Sequence, residues 1–157
     1  MKIDFKKLII TLGAAFLTAF LGSLVTTPSI DGWYAGLNKP FFNPPNWLFA
    51  PVWTTLFILM GIAAYLVWKN GENDRDVKKA LKFYFSQLFF NFLWSFIFFY
   101  LHLPLIAFID IIILWILIFL TIKNFKKISA SAAYLLYPYL IWVSFASILN
   151  LAIIVLN

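Results

Sequence analysis

Polar and indole side chains inside otherwise apolar stretches of this chain are the first candidates for a functional site. Asp110 is the one carboxylate, of six in the sequence, that falls inside such a stretch. Three other apolar stretches carry residues at helical spacing. They are Trp53 and Phe57 in one stretch, Gln87, Asn91, Trp94 and Ser95 in the next, and Pro138, Tyr139, Trp142, Phe145, Ala146, Leu149 and Asn150 in the last. Because polar groups are costly in apolar surroundings, these rows favour a binding site of aromatic rings and amides, suited to a flat, largely apolar ligand.

The residues that several other kinds of chemistry require are missing. The chain has no Cys and a single His, His102, so disulfides and thiolate chemistry are excluded. A bound metal or an axially ligated haem iron has no credible ligand set. No paired carboxylates and no Ser/His/Asp combination are present for hydrolysis. Asp110 itself is open to two interpretations, an interhelical hydrogen-bonding group or a proton relay.

Five long apolar stretches must position the candidate residues. They run over about 8–27, 47–68, 80–101, 105–122 and 131–156, each near the roughly 20 residues that a helix needs to cross a bilayer. A mean hydropathy of +0.93, with only 11% charged residues, excludes an ordinary soluble domain. We therefore predict an all-α fold, in which residues 1–157 form one integral membrane bundle of five transmembrane helices.

The distribution of positive charge orients this bundle. Eleven of the twelve Lys and Arg residues fall in the N-terminal segment and in the second and fourth connections, which share one face, whereas Lys39 falls on the other. Basic loops stay cytoplasmic, so the N-terminus is predicted inside and the C-terminus outside, as fits a bacterial cytoplasmic membrane. This topology also explains the net charge of +6, and no basic stripe interleaved with aromatic residues indicates nucleic acid as a partner.

The first connection, over 28–46, is long and unusual in composition. It combines prolines with aromatic residues: Pro28, Pro40, Pro44 and Pro45 beside Trp33, Tyr34, Phe41 and Phe42. The predicted topology places the candidate residues Trp53, Asn91, Trp94, Asp110, Trp142 and Asn150 in the outer half of the bundle, on the same side as this connection. We expect a pocket in that half, with residues 28–46 as its lid.

Small residues recur every four positions in the first apolar stretch. One row contains Ala14, Thr18 and Gly22, and a second contains Ala15, Ala19 and Ser23. Such rows permit close approach of another helix backbone. The sequence leaves two possibilities open, a dimer contact or packing within the bundle.

A series of short motifs occurs in one order along the chain. They are Trp33-Tyr34, Leu37-Asn38-Lys39-Pro40, Asn43-Pro44-Pro45, Pro51-Val52-Trp53-Thr54, Asn91-Phe92-Leu93-Trp94-Ser95 and Pro138-Tyr139-Leu140-Ile141-Trp142. Together they resemble the signature of the translocator protein family, also called the tryptophan-rich sensory protein (TspO) or peripheral benzodiazepine receptor family. The resemblance covers nearly the whole chain. It implies a five-helix bundle, commonly a homodimer, that binds porphyrins and, in some members, sterols and synthetic benzodiazepine-site ligands.

Carried over motif by motif, the resemblance also implies a ligand site. Its residues are Tyr34, Pro44, Trp53, Asn91, Trp94, Trp142 and Ala146. Porphyrin is implied as a ligand, with no required cofactor and no metal. Trp53 and Trp142 match tryptophans associated in bacterial relatives with light-dependent porphyrin breakdown, and they are catalytic only if this chain degrades porphyrin. The sterol pattern that animal members carry at the end of the fifth helix is absent from Ile153–Asn157, which argues against cholesterol.

Three functions follow as hypotheses. The first is a membrane receptor or sensor that binds a porphyrin, or a similar flat apolar ligand, in the outer half of the bundle. The second is a light-dependent porphyrin-degrading enzyme that uses the two matched tryptophans. The third is transport across the bilayer, against which stand the lack of internal repeats and the single intramembrane carboxylate.

Overall fold

The computed structural model describes residues 2–157 and is helical, with no β-strand in that range. Its helices are α1 (Phe5–Ser29), α2 (Asn46–Trp68), α3 (Arg75–Ser95), α4 (Pro104–Ile128) and α5 (Ala130–Leu156). Short π-helical segments extend α1 over Ile30–Tyr34 and α3 over Phe96–Tyr100. All five units are long and apolar enough to cross a membrane, where a helix satisfies its backbone hydrogen bonds internally. The predicted all-α membrane bundle of five helices is confirmed.

Local sequence signals explain where these helices begin. The side chains of Asp4, Asp74 and Ser129 each accept a hydrogen bond from a backbone N–H in the first turn of α1, α3 and α5, respectively. Such caps satisfy N–H groups that the helix itself leaves free. Pro104 opens α4 at a position where its missing N–H costs nothing.

The helices are longer than the predicted spans. Hydropathy detects the residues within hydrocarbon, whereas a helix continues into the polar boundary, and so α3 begins at Arg75 and α4 continues to Ile128. The largest difference concerns the lid predicted over 28–46, whose first seven residues are helical. Pro28 lies inside α1 without ending it, and the Ser29 hydroxyl donates to the Phe99 carbonyl oxygen across the bundle. The non-helical connection is therefore residues 35–45.

The five helices form a ring. Neighbouring helices contact one another in the order α1, α2, α5, α4 and α3, after which the ring closes on α1, and α2 also contacts α3 across it. Residues 35–45, the turn at 101–103 and the end of α5 lie at one end of the ring, which we call the loop end. The prediction from charge places this end outside the cytoplasm.

The helix α1 packs closely against both of its neighbours. Towards α2, an added Cβ on Gly61 would lie only 2.9 Å from the Leu12 Cα. Towards α3, an added Cβ on Gly22 would lie 3.6 Å from the Ser95 Oγ, and Thr18 of the same row is buried. The row Ala14–Thr18–Gly22 thus packs within the bundle, one of the two possibilities that the sequence left open.

Candidate functional site

A cavity of about 320 Å³ lies in the loop-end half of the ring. Its walls come from α1, α2, α3 and α5 and from the two π-helical segments. Among residues 2–157, no residue of α4 lines it. The lining is mostly apolar and aromatic, with a few hydroxyl and amide groups, as is typical of sites for small apolar ligands.

Three tryptophan rings on three different helices face this cavity. Trp53 on α2 meets Tyr139 edge-on, with ring centroids 6.2 Å apart. Trp94 on α3 stacks on Phe98 at 5.2 Å. Trp142 on α5 meets Phe49 edge-on at 6.0 Å. Because each indole packs against a second aromatic ring, its orientation towards the cavity is set by the surrounding core.

A buried hydrogen-bonded chain fixes the amide of Asn91 at the cavity wall. The Asn91 Nδ2 donates to the Tyr139 Oη at 2.8 Å, and that hydroxyl donates to the Gln87 Oε1 at 2.7 Å. The Gln87 Nε2 then points to the Met60 Sδ, 3.7 Å away, which is a weak acceptor. Since one of the two N–H donors of Asn91 is used inside the protein, its carbonyl oxygen and its second N–H remain for a ligand.

A second amide ties three helices together at the cavity wall. The Trp94 Nε1 donates to the Asn150 Oδ1 at 3.0 Å, and the Asn150 Nδ2 donates to the Pro104 carbonyl oxygen at 2.9 Å. These bonds connect α3, α5 and the first turn of α4. Asn150 is 1% exposed, so both hydrogen bonds are shielded from water.

Two buried side-chain polar atoms have no hydrogen-bond partner within residues 2–157. One is the indole nitrogen Nε1 of Trp142, which belongs to a residue of the cavity wall. The other is Oδ2 of Asp110 on α4, outside the cavity lining. An unpaired buried N–H is unfavourable by about 1–3 kcal/mol, so the position of the Trp142 indole is maintained by its packing and not by a hydrogen bond.

Comparison with known proteins agrees with this architecture. The sequence pattern of the TspO/MBR family matches residues 10–156. The tryptophan-rich protein TspO of Archaeoglobus fulgidus is 49% identical over 152 residues, which cover 96% of this chain and 97% of that protein. The tryptophan-rich sensory protein of Cereibacter sphaeroides is 38% identical over 92% of both chains. The chain belongs to the TspO/MBR family.

This membership extends to animal proteins. The translocator protein of Ovis aries is 38% identical over 132 residues, which cover 83% of this chain and 78% of that protein. As a TspO/MBR protein with five membrane-length helices, the chain is an integral membrane protein. The names of its relatives, sensory protein and translocator protein, support a membrane receptor role. The family resemblance drawn from the motifs is thereby confirmed.

The structure brings together six of the seven residues that the TspO/MBR resemblance implied as a site. The six that line the cavity are Tyr34, Trp53, Asn91, Trp94, Trp142 and Ala146. Pro44 does not line it, because residues 35–45 lie beyond the rim that Tyr34 and Asn46 form. Asp110, expected in the same half of the bundle, also stands outside the lining.

The sequence reasoning missed the contribution of α1. This helix supplies a wall of small side chains: Thr18, Ala19, Gly22, Ser23, Thr26 and Thr27. Such residues carry no chemical signature of a binding site. The available signal was their spacing of four, which indicated close packing of α1 against another helix. In the structure, the same small side chains also leave space beside the aromatic walls.

Proposed function

We propose that this TspO/MBR protein is a membrane receptor that binds a porphyrin, or a similar flat and largely apolar ligand, in the cavity. The observation that carries the proposal is the presence of Trp53, Trp94 and Trp142 in the wall of one cavity. Each aromatic pair contributes about 0.5–1.5 kcal/mol beyond the burial of its area, and a flat ring system stacks well on indoles.

One polar group of the wall supports a defined orientation of the ligand. Asn91 presents its carbonyl oxygen and its second N–H, because one N–H is held by Tyr139. The indole N–H of Trp142 is buried and unpaired, so Trp142 contributes its ring to the wall and not a hydrogen bond. A ligand with a hydrogen-bond donor or acceptor at its edge would pair with Asn91, while the rest of its surface is covered by aromatic and aliphatic side chains.

The test is a titration of the purified protein with protoporphyrin IX in the dark, followed by tryptophan fluorescence. We expect saturable quenching with a Kd of about 1 μM or lower, which corresponds to roughly −8 kcal/mol. Asn91→Ala removes a hydrogen bond to the ligand and Trp142→Phe removes part of the ring surface on which the ligand stacks, so each should weaken binding by about 2- to 10-fold. The matched control is Trp115→Phe, since Trp115 donates to the Ser144 Oγ at 2.8 Å and does not line the cavity. Unchanged affinity in both cavity variants would show that the ligand binds elsewhere.

Light-dependent porphyrin breakdown is the second candidate, and the shared position of Trp53 and Trp142 in one wall favours it. A porphyrin in the cavity would contact both indoles, and an excited porphyrin oxidises nearby indole rings. Illumination of the complex in air should then give a new absorbing product whose formation depends on Trp53 or Trp142. If the Trp53→Phe and Trp142→Phe variants both lose porphyrin as fast as the unmodified protein does, this activity is excluded.

Assembly and location form part of the same proposal. We propose a homodimer, because the family resemblance implies it, and its test is the mass of the detergent-solubilised protein after subtraction of bound detergent. We also propose the bacterial cytoplasmic membrane, with the N-terminus inside, because eleven of the twelve Lys and Arg residues lie at the end opposite the loop end.

A further inference from the structure

Residues 35–45, which we call the cover, connect α1 to α2 at the loop end. The Tyr34 Oη donates to the Asn43 Oδ1 at 3.1 Å, which ties the connection to the end of the α1 unit. The amide of Asn157 pairs with the backbone of Asn38, accepting from its N–H and donating to its carbonyl oxygen, both at 2.9 Å. Among residues 2–157, none between 35 and 45 lines the cavity. The connection is therefore held at both sides and contributes no residue to the cavity wall.

The cavity instead reaches the lipid-facing surface between α1 and α2. Ser23 and Thr27 on α1, and Ala50 and Thr54 on α2, line the cavity and are also exposed. Gly22 marks the edge of α1 that faces α3, so Ser23 and Thr27 lie on the edge towards α2. The two helices touch at Gly61 in the other half of the bundle, whereas the four exposed lining residues lie in the loop-end half.

The gap is chemically compatible with lipid although it carries hydroxyl groups. The Ser23 Oγ donates to the Phe20 carbonyl oxygen at 2.7 Å, and the Thr54 Oγ1 donates to the Ala50 carbonyl oxygen at 2.8 Å. Each hydroxyl is thus satisfied by its own helix. At these two positions, the surface that a passing molecule meets presents no unpaired donor to hydrocarbon.

From this geometry we propose that the ligand enters the cavity from the bilayer, through a portal bounded by Ser23, Thr27, Ala50 and Thr54. The inference rests on the proposed function and specifies its ligand class: an apolar, flat molecule dissolved in the membrane, not one delivered directly from water. Flatness matters, because the portal is a slit between two helices.

The test uses the lack of Cys in the chain to place two bridges. The portal variant is Ser23→Cys with Thr54→Cys, and the cover variant is Asn38→Cys with Asn157→Cys, each treated after folding with the same short bis-maleimide. Ile58→Cys, labelled once on the lipid-facing surface of α2 away from the cavity lining, controls for the reagent. Association and dissociation of protoporphyrin IX are followed in nanodiscs in the dark.

We expect the portal bridge to slow association and dissociation by about 10-fold or more, and the cover bridge to leave both rates within about 2-fold of the unbridged protein. Slow exchange with the cover bridged and fast exchange with the portal bridged would overturn the portal. If the unmodified protein shows no saturable binding, the proposed function fails and the portal with it. Saturable binding with unchanged rates across a bridged portal refutes the portal alone.

Discussion

The contact between Gly61 and Leu12 allows a quantitative prediction about how α1 and α2 are held. A Cβ added to Gly61 would lie 2.5 Å from the Leu12 Cδ2 and 2.9 Å from the Leu12 Cα. The side-chain atom can move by rotation, whereas the Cα cannot move without its helix. An ordinary carbon contact is about 3.5 Å or more, so Gly61→Ala must displace the two backbones by roughly 0.6 Å.

Such overpacking costs about 1–3 kcal/mol in a closely packed interior. Part of it is offset by the better helix propensity of Ala, which is up to about 1 kcal/mol relative to Gly. We therefore expect Gly61→Ala to lower the free energy of unfolding by about 1–2 kcal/mol. The measurement is equilibrium unfolding in mixed micelles with increasing SDS, followed by circular dichroism.

Gly13→Ala on α1 is the matched control, because an added Cβ at Gly13 meets no atom within 4 Å. This variant has the same gain in helix propensity without the clash, so its stability should be unchanged or higher by up to about 1 kcal/mol. The reasoning is refuted if the two variants unfold at the same SDS fraction, since the approach of α1 to α2 would then carry no steric constraint.

Two further predictions concern buried hydrogen bonds, and a third concerns the orientation in the membrane. Asn150→Ala removes two buried hydrogen bonds and should destabilise the bundle by about 1–3 kcal/mol in the same unfolding assay, whereas no change would show that these bonds contribute nothing. Tyr139→Phe leaves the Asn91 N–H and the Gln87 carbonyl oxygen without their partner and should lower the free energy of unfolding by a similar amount, about 1–3 kcal/mol. A stability equal to that of the unmodified protein would contradict the role of this series of hydrogen bonds. In intact cells, an impermeant maleimide should label Lys39→Cys and spare Asn73→Cys, and the reverse pattern would invert the predicted orientation.

The membrane fold was predictable from sequence because each helix carries its own signal. A stretch such as 105–122 is apolar enough to identify a membrane helix without knowledge of its neighbours. The helix ends were less accessible, since α4 continues past that stretch to Ile128 by forming backbone hydrogen bonds that hydropathy does not report. The π-helical segment Ile30–Tyr34 was also missed, because proline and aromatic residues suggested a loop.

The candidate site was predictable where its residues are chemically unusual for a membrane. Asn91 and Trp142 stand out in apolar stretches, and both line the cavity. Ser23 and Thr54 do not stand out, and their position beside the cavity depends on how α1 and α2 rotate and separate, which no local pattern determines. The same holds for Asp110, whose helix was identified correctly but whose side chain stands outside the lining.

The most direct test of a ligand site in this cavity is to fill it. Ala146→Phe adds a ring inside the lining on α5, while Ile148→Phe adds one two residues away, at a position that is 60% exposed towards lipid. Binding of protoporphyrin IX is measured in the dark from the shift of its main absorption band. We predict that Ala146→Phe weakens binding by about 10-fold or more, roughly 1.4 kcal/mol, and that Ile148→Phe leaves it unchanged. Equal affinity in the two variants would contradict the assignment of the cavity as the binding site.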